Sequence, residues 1–429
     1  MNDQPTHQPW YRRIGPGLIT ACVVIGPGSL VTSSKVGASE QYSMLWVVVV
    51  SVAFMMLYMT LGAKLGAVGS AAPCDLIAAK AGRWLSVLVG LSVFFIATAF
   101  QSGNNIGVAA TFEAFIDSKT VVAGMVILFN LLAIVFLFAF KDMYKMLERV
   151  MMALVGLMLI SFAINLISLR PDLAAMGKGL VTPTLGKSGE LLPILGLIGT
   201  TFISAAAFYQ AYLVRQKGWG IDEVKSGMVD ARIGSIIMFL ITVMLMSTAA
   251  AGLSGRADIT LNSPVDVAIA LESTFGPAAK IIFCFGLFSA AYSSFLVNAM
   301  IGGFMAADGL NMGSRPTDLV PRLLTAASLL LGMAVGVAVL IFDFDRTPTI
   351  IAAQAVTVVA APLIAGVLLW LTSSRDVMGE HVNRPATIVF GLIGLGLLLA
   401  MAGKTAFSDL PKKLESYLPA AASASADPQ

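Results

Sequence analysis

The sequence predicts an all-α membrane protein of about eleven transmembrane helices, and three observations carry that reading. The 429 residues are 57% hydrophobic and only 12% charged, with a mean hydropathy of +0.86; a soluble domain carries about twice that charged fraction. Apolar runs of about 20 residues, the length a helix needs to cross hydrocarbon, recur along the whole chain. The first of these runs is interrupted by Gly26-Pro27-Gly28. Proline removes a backbone donor and glycine tolerates unusual dihedrals, so a helix at membrane depth is expected to break there. Backbone freed in this way is tolerated only where it lines a cavity, and the broken helices of secondary transporters hold their solute at such breaks. The expected class is therefore a transporter.

Taken in order, the spans fall at 16–36, 44–68, 85–112, 121–140, 150–169, 191–213, 231–253, 278–306, 322–342, 349–371 and 385–403. Residues 1–15 begin with polar residues, Asn2 to Gln8, and show no signal-peptide pattern. They are expected to form a cytoplasmic N-terminal segment. Residues 16–403 form a single transmembrane transporter domain, and 404–429 a polar tail, Ala/Ser-rich after Ala420 and expected to be disordered. The connections Arg170 to Glu190, with Pro171 and Pro183, and Asp308 to Pro321, with Asn311 and Pro316, read as loops. Basic residues near span ends, among them Arg12, Arg13, Lys64, Lys80, Arg83, Lys141, Lys145, Arg149, Arg215, Lys217, Arg315, Arg322, Arg375 and Arg384, collect on one side. That bias predicts a cytoplasmic N-terminus, here in a bacterial inner (plasma) membrane.

Several function classes are excluded by what the spans lack. Cys22, Cys74 and Cys284 have no paired spacing, and His7 and His381 lie outside the apolar runs, so neither a disulfide framework nor a zinc cluster is readable. No Ser-His-Asp, Cys-His or carboxylate pair can be placed inside the spans, which argues against an enzyme. The net charge of +3 means little for a membrane protein, where the distribution of Lys and Arg between loops matters more; no nucleic acid partner and no cofactor are expected. The expected partners are a small solute or ion and the lipid bilayer.

The run Gly26-Pro27-Gly28-Ser29, followed by Gly37-Ala38 and Tyr42-Ser43-Met44-Leu45-Trp46, resembles the first span and first loop of Nramp-type transporters, whose pattern there is Asp-Pro-Gly-Asn. Ala63-Lys64-Leu65-Gly66, Gly276-Pro277-Ala278-Ala279, Ser293-Ser294, Gln354 and Arg375-Asp376-Val377-Met378-Gly379 continue the likeness along nearly the whole chain. The resemblance implies a LeuT-like fold: spans one to five and six to ten as a 5+5 inverted repeat, with helices 1 and 6 broken at the substrate site. It also implies where the site has changed. The family's first-span Asp and Asn and its sixth-span Met correspond to Gly26, Ser29 and Ile203, and the Pro and His after that Met to Ser204 and Ala205. Two third-span acids associated with proton movement correspond to Gln101 and Asn104.

Charge energetics give these departures their meaning. A divalent cation moved into a low-dielectric cavity loses a large hydration energy, which oxygen dipoles offset poorly without a nearby carboxylate. Glu113, Asp230 and Glu272 fall at or beyond span ends and read as solvated or interfacial charges. Cys22 and the 22 methionines are soft donors suited to a thiophilic ion such as Cu(I), although packing is their commoner role in apolar helices. What remains is polar and uncharged. The expected substrate-binding residues are Gly26, Pro27, Gly28, Ser29, Gln101, Asn104, Thr200, Ile203, Ser204 and Gln354, with no metal ligand among them. Asn105, Gln210, Ser293, Ser294 and Asn298 are further polar candidates, and Lys35 reads as snorkelling to the interface.

Half-helix N-termini with hydroxyls and amides suit a small anion or zwitterion. The function expected is thus secondary transport of a carboxylate, an amino acid or bicarbonate by alternating access. The alternatives are a diverged divalent metal cation transporter (Mn, Fe or Mg), a passive channel, and a transport-dead sensor. Proton-coupled uptake of Mn(II) or Fe(II) is not expected.

Overall fold

The computed structural model describes residues 15–139, 143–185, 192–255, 261, 264–342, 344 and 346–409. Among the described residues, nine helices are long and apolar enough to cross a membrane, and two bent helix pairs bring the spans to eleven. The first bent pair is α1 (Pro16–Val24) and α2 (Pro27–Glu40), which meet at 60°. Next come α3 (Leu45–Val68), the short α4 (Pro73–Ala81), α5 (Arg83–Glu113), α6 (Lys119–Ala139), α7 (Met143–Ser168) and the short α8 (Leu173–Val181). The second half holds α9 (Leu192–Thr201), α10 (Ser204–Gln216), α11 (Val224–Gly252), the short α12 (Pro264–Phe275), α13 (Pro277–Gly309) and α14 (Leu319–Ile341). It ends with α15 (Arg346–Thr372), the four-residue α16 (Arg375–Met378) and α17 (Pro385–Lys404). The tenth span is the other bent pair, its two parts 66° apart between Thr372 and Arg375. Residues 1–14 and 410–429, which include most of the expected terminal segments, lie outside the described residues.

The first break forms as its residues dictate. Ile25 N donates to Ala21 O (3.4 Å) as the last bond of α1, and Leu30 N to Gly26 O (3.1 Å) as the first bond of α2. Pro27 sits at the first turn of α2, where its missing donor is no loss. Gly26 is extended, with φ −105° and ψ 178°, a conformation open to any residue.

The sixth span is also interrupted, at Phe202 and Ile203, although no proline or glycine marks the place. Tertiary contacts hold it open. The Phe202 ring lies 5.0 Å from Tyr58 and 6.1 Å from Phe54 on α3, and Ser204 Oγ donates to Ala361 O of α15 (3.0 Å). Close helix approach relies on small residues. A Cβ at Gly62 or Gly66 of α3 would strike the backbone of α10 at Ala207 or Ala211, so these two glycines one turn apart let α3 and α10 touch.

Three connecting helices were not expected from hydropathy. The loop from Arg170 to Glu190 contains α8, started by the Asp172 carboxylate, which accepts from Ala174 N and Ala175 N (both 3.0 Å). In α4, Pro73 stands in the first turn and Gly82 closes the helix at φ +88°. Helix α12, like the others, is too short to cross a bilayer.

Candidate substrate site

Around the first break the fold gathers groups from three spans. The glycine at 26 faces α5 and α13: a Cβ there would lie 3.0 Å from Ser294 Oγ and 3.4 Å from Asn104 Oδ1. Pro27 packs into the hollow left by Gly107, where any side chain would collide with its ring. Ser29 Oγ donates to Val24 O across the break and lies 3.2 Å from Thr200 O at the end of α9. The two broken spans therefore meet. Thr200 Oγ1 is turned back to Gly196 O (3.0 Å), and Ile203 caps α10.

The amides resolve into two groups with different roles. Asn104 Nδ2 donates to Gln101 Oε1 (3.3 Å), while Asn104 Oδ1 and Gln101 Nε2 are buried without a hydrogen-bond partner. Asn105 faces away and serves helix packing: it donates to Gln101 O (2.8 Å) and accepts from Asn130 Nδ2 (2.7 Å). Asn298 donates to Ala97 O (2.8 Å), joining α13 to α5. Ser294 Oγ donates to Val23 O (3.2 Å), which leaves its lone pairs for the space over Gly26. Gln354 lies on α15, but its side chain falls outside the described residues. Gly28 stands in the first turn of α2, partly exposed.

The site is shut on one side. Every residue of α1, and Ser204 to Val214 of α10, is buried, whereas Gly28, Ser29, Val31 and Thr32 of α2 and Gly196 and Gly199 of α9 are partly exposed. A separate cavity of about 650 Å³, lined by Gly69, Asp75, Tyr212, Arg215, Trp219 and Arg315 among others, shares no residue with the break.

Among the described residues no three of His, Cys, Asp and Glu form a group able to hold a metal. Burial, and then the nearby Asp308 charge, push the Cys74 thiol on α4 up, so it stays protonated. Asp230, expected as a charge at a span end, is in fact 1% exposed and bonded to the start of α1. Lys280 pairs with Glu272 at 2.8 Å, and Lys35 is exposed as a snorkelling side chain would be.

Two broken spans that meet where Ser29 reaches Thr200, inside a bundle of up to eleven spans among the described residues, define an integral membrane transporter of the LeuT-like fold. The chain belongs to the Nramp family, natural resistance-associated macrophage protein-like, whose family model matches residues 17–408. It is 26% identical over 422 residues to the divalent metal cation transporter MntH of Chromohalobacter salexigens, covering 95% of this chain and 94% of that protein. With the protein of the same name from Pectobacterium carotovorum subsp. carotovorum it shares 27% over 380 residues, 86% and 88% of the two chains. A crystal structure of the Eremococcus coleocola manganese transporter superposes with a TM-score of 0.82 at 19% identity, covering 96% of this chain and 92% of the other. That of MhsT in complex with L-phenylalanine gives 0.59 at 16%, covering 90% and 98%. These two likenesses concern the fold.

The expectation of a small anion or zwitterion as solute is overturned. Relatives that match over most of their length are named for divalent metal cations, which was the alternative. Local geometry supplies a physical reason. Asn104 donates its NH₂ to Gln101, so the amide pair leaves one acceptor, Asn104 Oδ1, and one donor, Gln101 Nε2, without a partner. Ser294 Oγ and the Val23 and Val24 carbonyls set further acceptors beside Gly26, and acceptors suit a cation.

Proposed function

We propose that this protein carries a divalent metal cation across a bacterial inner membrane by alternating access, with its N-terminus in the cytoplasm. The observation that supports this most directly is Asn104 Oδ1, a buried acceptor without a partner beside Gly26. Burying such an oxygen costs free energy unless something binds it. A cation entering from the partly exposed side of α2 and α9 would take Asn104 Oδ1, Ser294 Oγ and the second lone pairs of the Val23 and Val24 carbonyls. The donors are all neutral oxygens, so the favoured ions are hard ones that keep part of their water shell, Mg²⁺ or Mn²⁺, over ions that prefer sulfur. Gln101 and Asn104 do not titrate, and the third span moves no proton with the ion.

The test is uptake into proteoliposomes loaded with a Mg²⁺- or Mn²⁺-sensitive dye, alongside calorimetric titration of the purified protein with each chloride salt. Saturable uptake that Asn104→Leu weakens is expected. Failure of every divalent cation to bind or enter at millimolar concentration would overturn the reading.

A further inference from the structure

We propose that Asp230 is the latch of the gate on the Gly15 side: it holds α1 shut against α11, and its release opens the site toward that side. The inference is independent of which ion is carried. Helix α1 has nine residues, too few to be stable alone, and the break at Gly26 leaves it joined to α2 through a bend of 60°. Its position must therefore be set by what grips it. Asp230 accepts from Gly15 N at 2.8 Å and from Gly17 N at 2.5 Å, each through a different carboxylate oxygen. These are donors that the first turn of a helix leaves free, and a carboxylate there also meets the positive end of the helix dipole.

The surroundings fit a surface that docks and undocks. A Cβ at Gly17 would strike the Asp230 carbonyl, and one at Gly234 would strike the Gly17 carbonyl, so the two backbones are in contact with no side chain between them. Gln210 of α10, with its amide turned so that both ends are satisfied, donates to Pro16 O (2.9 Å) and Thr20 Oγ1 and accepts from Gly17 N (3.2 Å). The Lys217–Glu148 pair, 2.8 Å apart, closes over Gly15. Elements α7, α10 and α11 thus converge on one turn of α1, on the side where α1 and Ser204 to Val214 of α10 are buried. Asp230 touches no part of the pocket over Gly26; it is a positioning residue.

Cys22, on α1 and fully buried, is a native reporter of this motion. In a Cys74→Ser, Cys284→Ser background, the rate at which a membrane-impermeant maleimide modifies Cys22 from the Gly15 side measures how often α1 swings out. Asp230→Asn removes a charge-assisted bond and is expected to raise that rate about tenfold. Gly234→Ala, which wedges α1 off α11 without touching the carboxylate, is expected to raise it as well. Both variants should raise KM for entry from the opposite side more than they change the maximal rate. Wild-type labelling rates in Asp230→Asn, or equal acceleration from both sides, would overturn the latch; if Asp230→Asn does not fold, Asp230→Glu, which displaces the carboxylate, is read in the same assay.

Discussion

Replacing Asn104 by Asp tests the site reading most sharply, because cation and anion pockets respond with opposite signs. The side chains are nearly isosteric, and the amide nitrogen that Asp loses now donates to Gln101 Oε1 at 3.3 Å. Gln101 Nε2 is buried without a partner, so turning that amide end over end presents a donor to the new carboxylate with no backbone movement. The variant should fold. Its carboxylate would then face the space at Gly26 where the neutral Oδ1 now lies, and a charged acceptor is roughly twice as strong as a neutral one. After the cost of burying the charge, the net gain in cation binding is about 1–2 kcal/mol, or about 5- to 30-fold in Kd. Calorimetric titration with Mg²⁺ and Mn²⁺ measures it directly. The gain needs the ionised form, so it is present at neutral pH and fades as the pH falls through the carboxyl pKa. Without cation the variant should melt earlier than wild type, since its new charge then lacks a partner. A Kd that is unchanged or weaker at neutral pH, in folded protein, would refute the assignment of Asn104 Oδ1 as a ligand.

Three further outcomes are expected. Gly28→Leu should abolish uptake while leaving expression and monodispersity near wild type, because Gly28 is partly exposed at the start of α2 and not inside a packed core; size-exclusion profiles and uptake assays check both halves. Ser29→Ala removes the hydroxyl shared by Val24 O and Thr200 O and should lower stability by about 0.5–1.5 kcal/mol, read as a fall in melting temperature in detergent. Divalent cation uptake should leave the pH inside proteoliposomes unchanged, as Gln101 and Asn104 predict; metal-dependent proton influx above that of empty vesicles would contradict it.

The first break was legible because Pro27 announces it, and the resemblance to Nramp transporters was legible because short motifs keep their order along the chain. Other features were hidden for physical reasons. At Phe202-Ile203 no residue breaks a helix by its own preference; Tyr58 on α3 and Ala361 on α15 do so from a distance. The helix α4 carries plain start and stop signals, Pro73 and Gly82, but a window of about 20 residues passes over nine. An amide can donate or accept, and as the pair is placed Asn104 donates to Gln101 Oε1 and leaves its oxygen free. The sequence reading reached an anion from spans without an acid at their middle and from the positive ends of half-helices. Asp230 looked like an interfacial charge because its partner Gly17 is 213 residues away.

The changes from the family pattern make better sense together than singly. An empty carrier must return through the membrane with its site unfilled, and a bare carboxylate makes that step costly unless a proton or a cation neutralises it. On the proposed function, Gly26 in place of the acid would leave the site neutral when empty, and the return would need no neutralising proton. A titratable pair on the third span then has nothing to deliver, and Gln101 and Asn104 can stand there as a hydrogen-bonded pair whose free oxygen faces the site. Loss of the thioether at Ile203 follows the same direction, leaving a donor set of oxygens alone. Such a site binds more weakly than one with a carboxylate, which suits an ion abundant enough to fill it. It would also carry two positive charges inward with no counter-movement. Each charge gains about 2.3 kcal/mol per 100 mV of membrane potential, so the potential alone supplies a driving force of about 4.6 kcal/mol per 100 mV for a divalent ion.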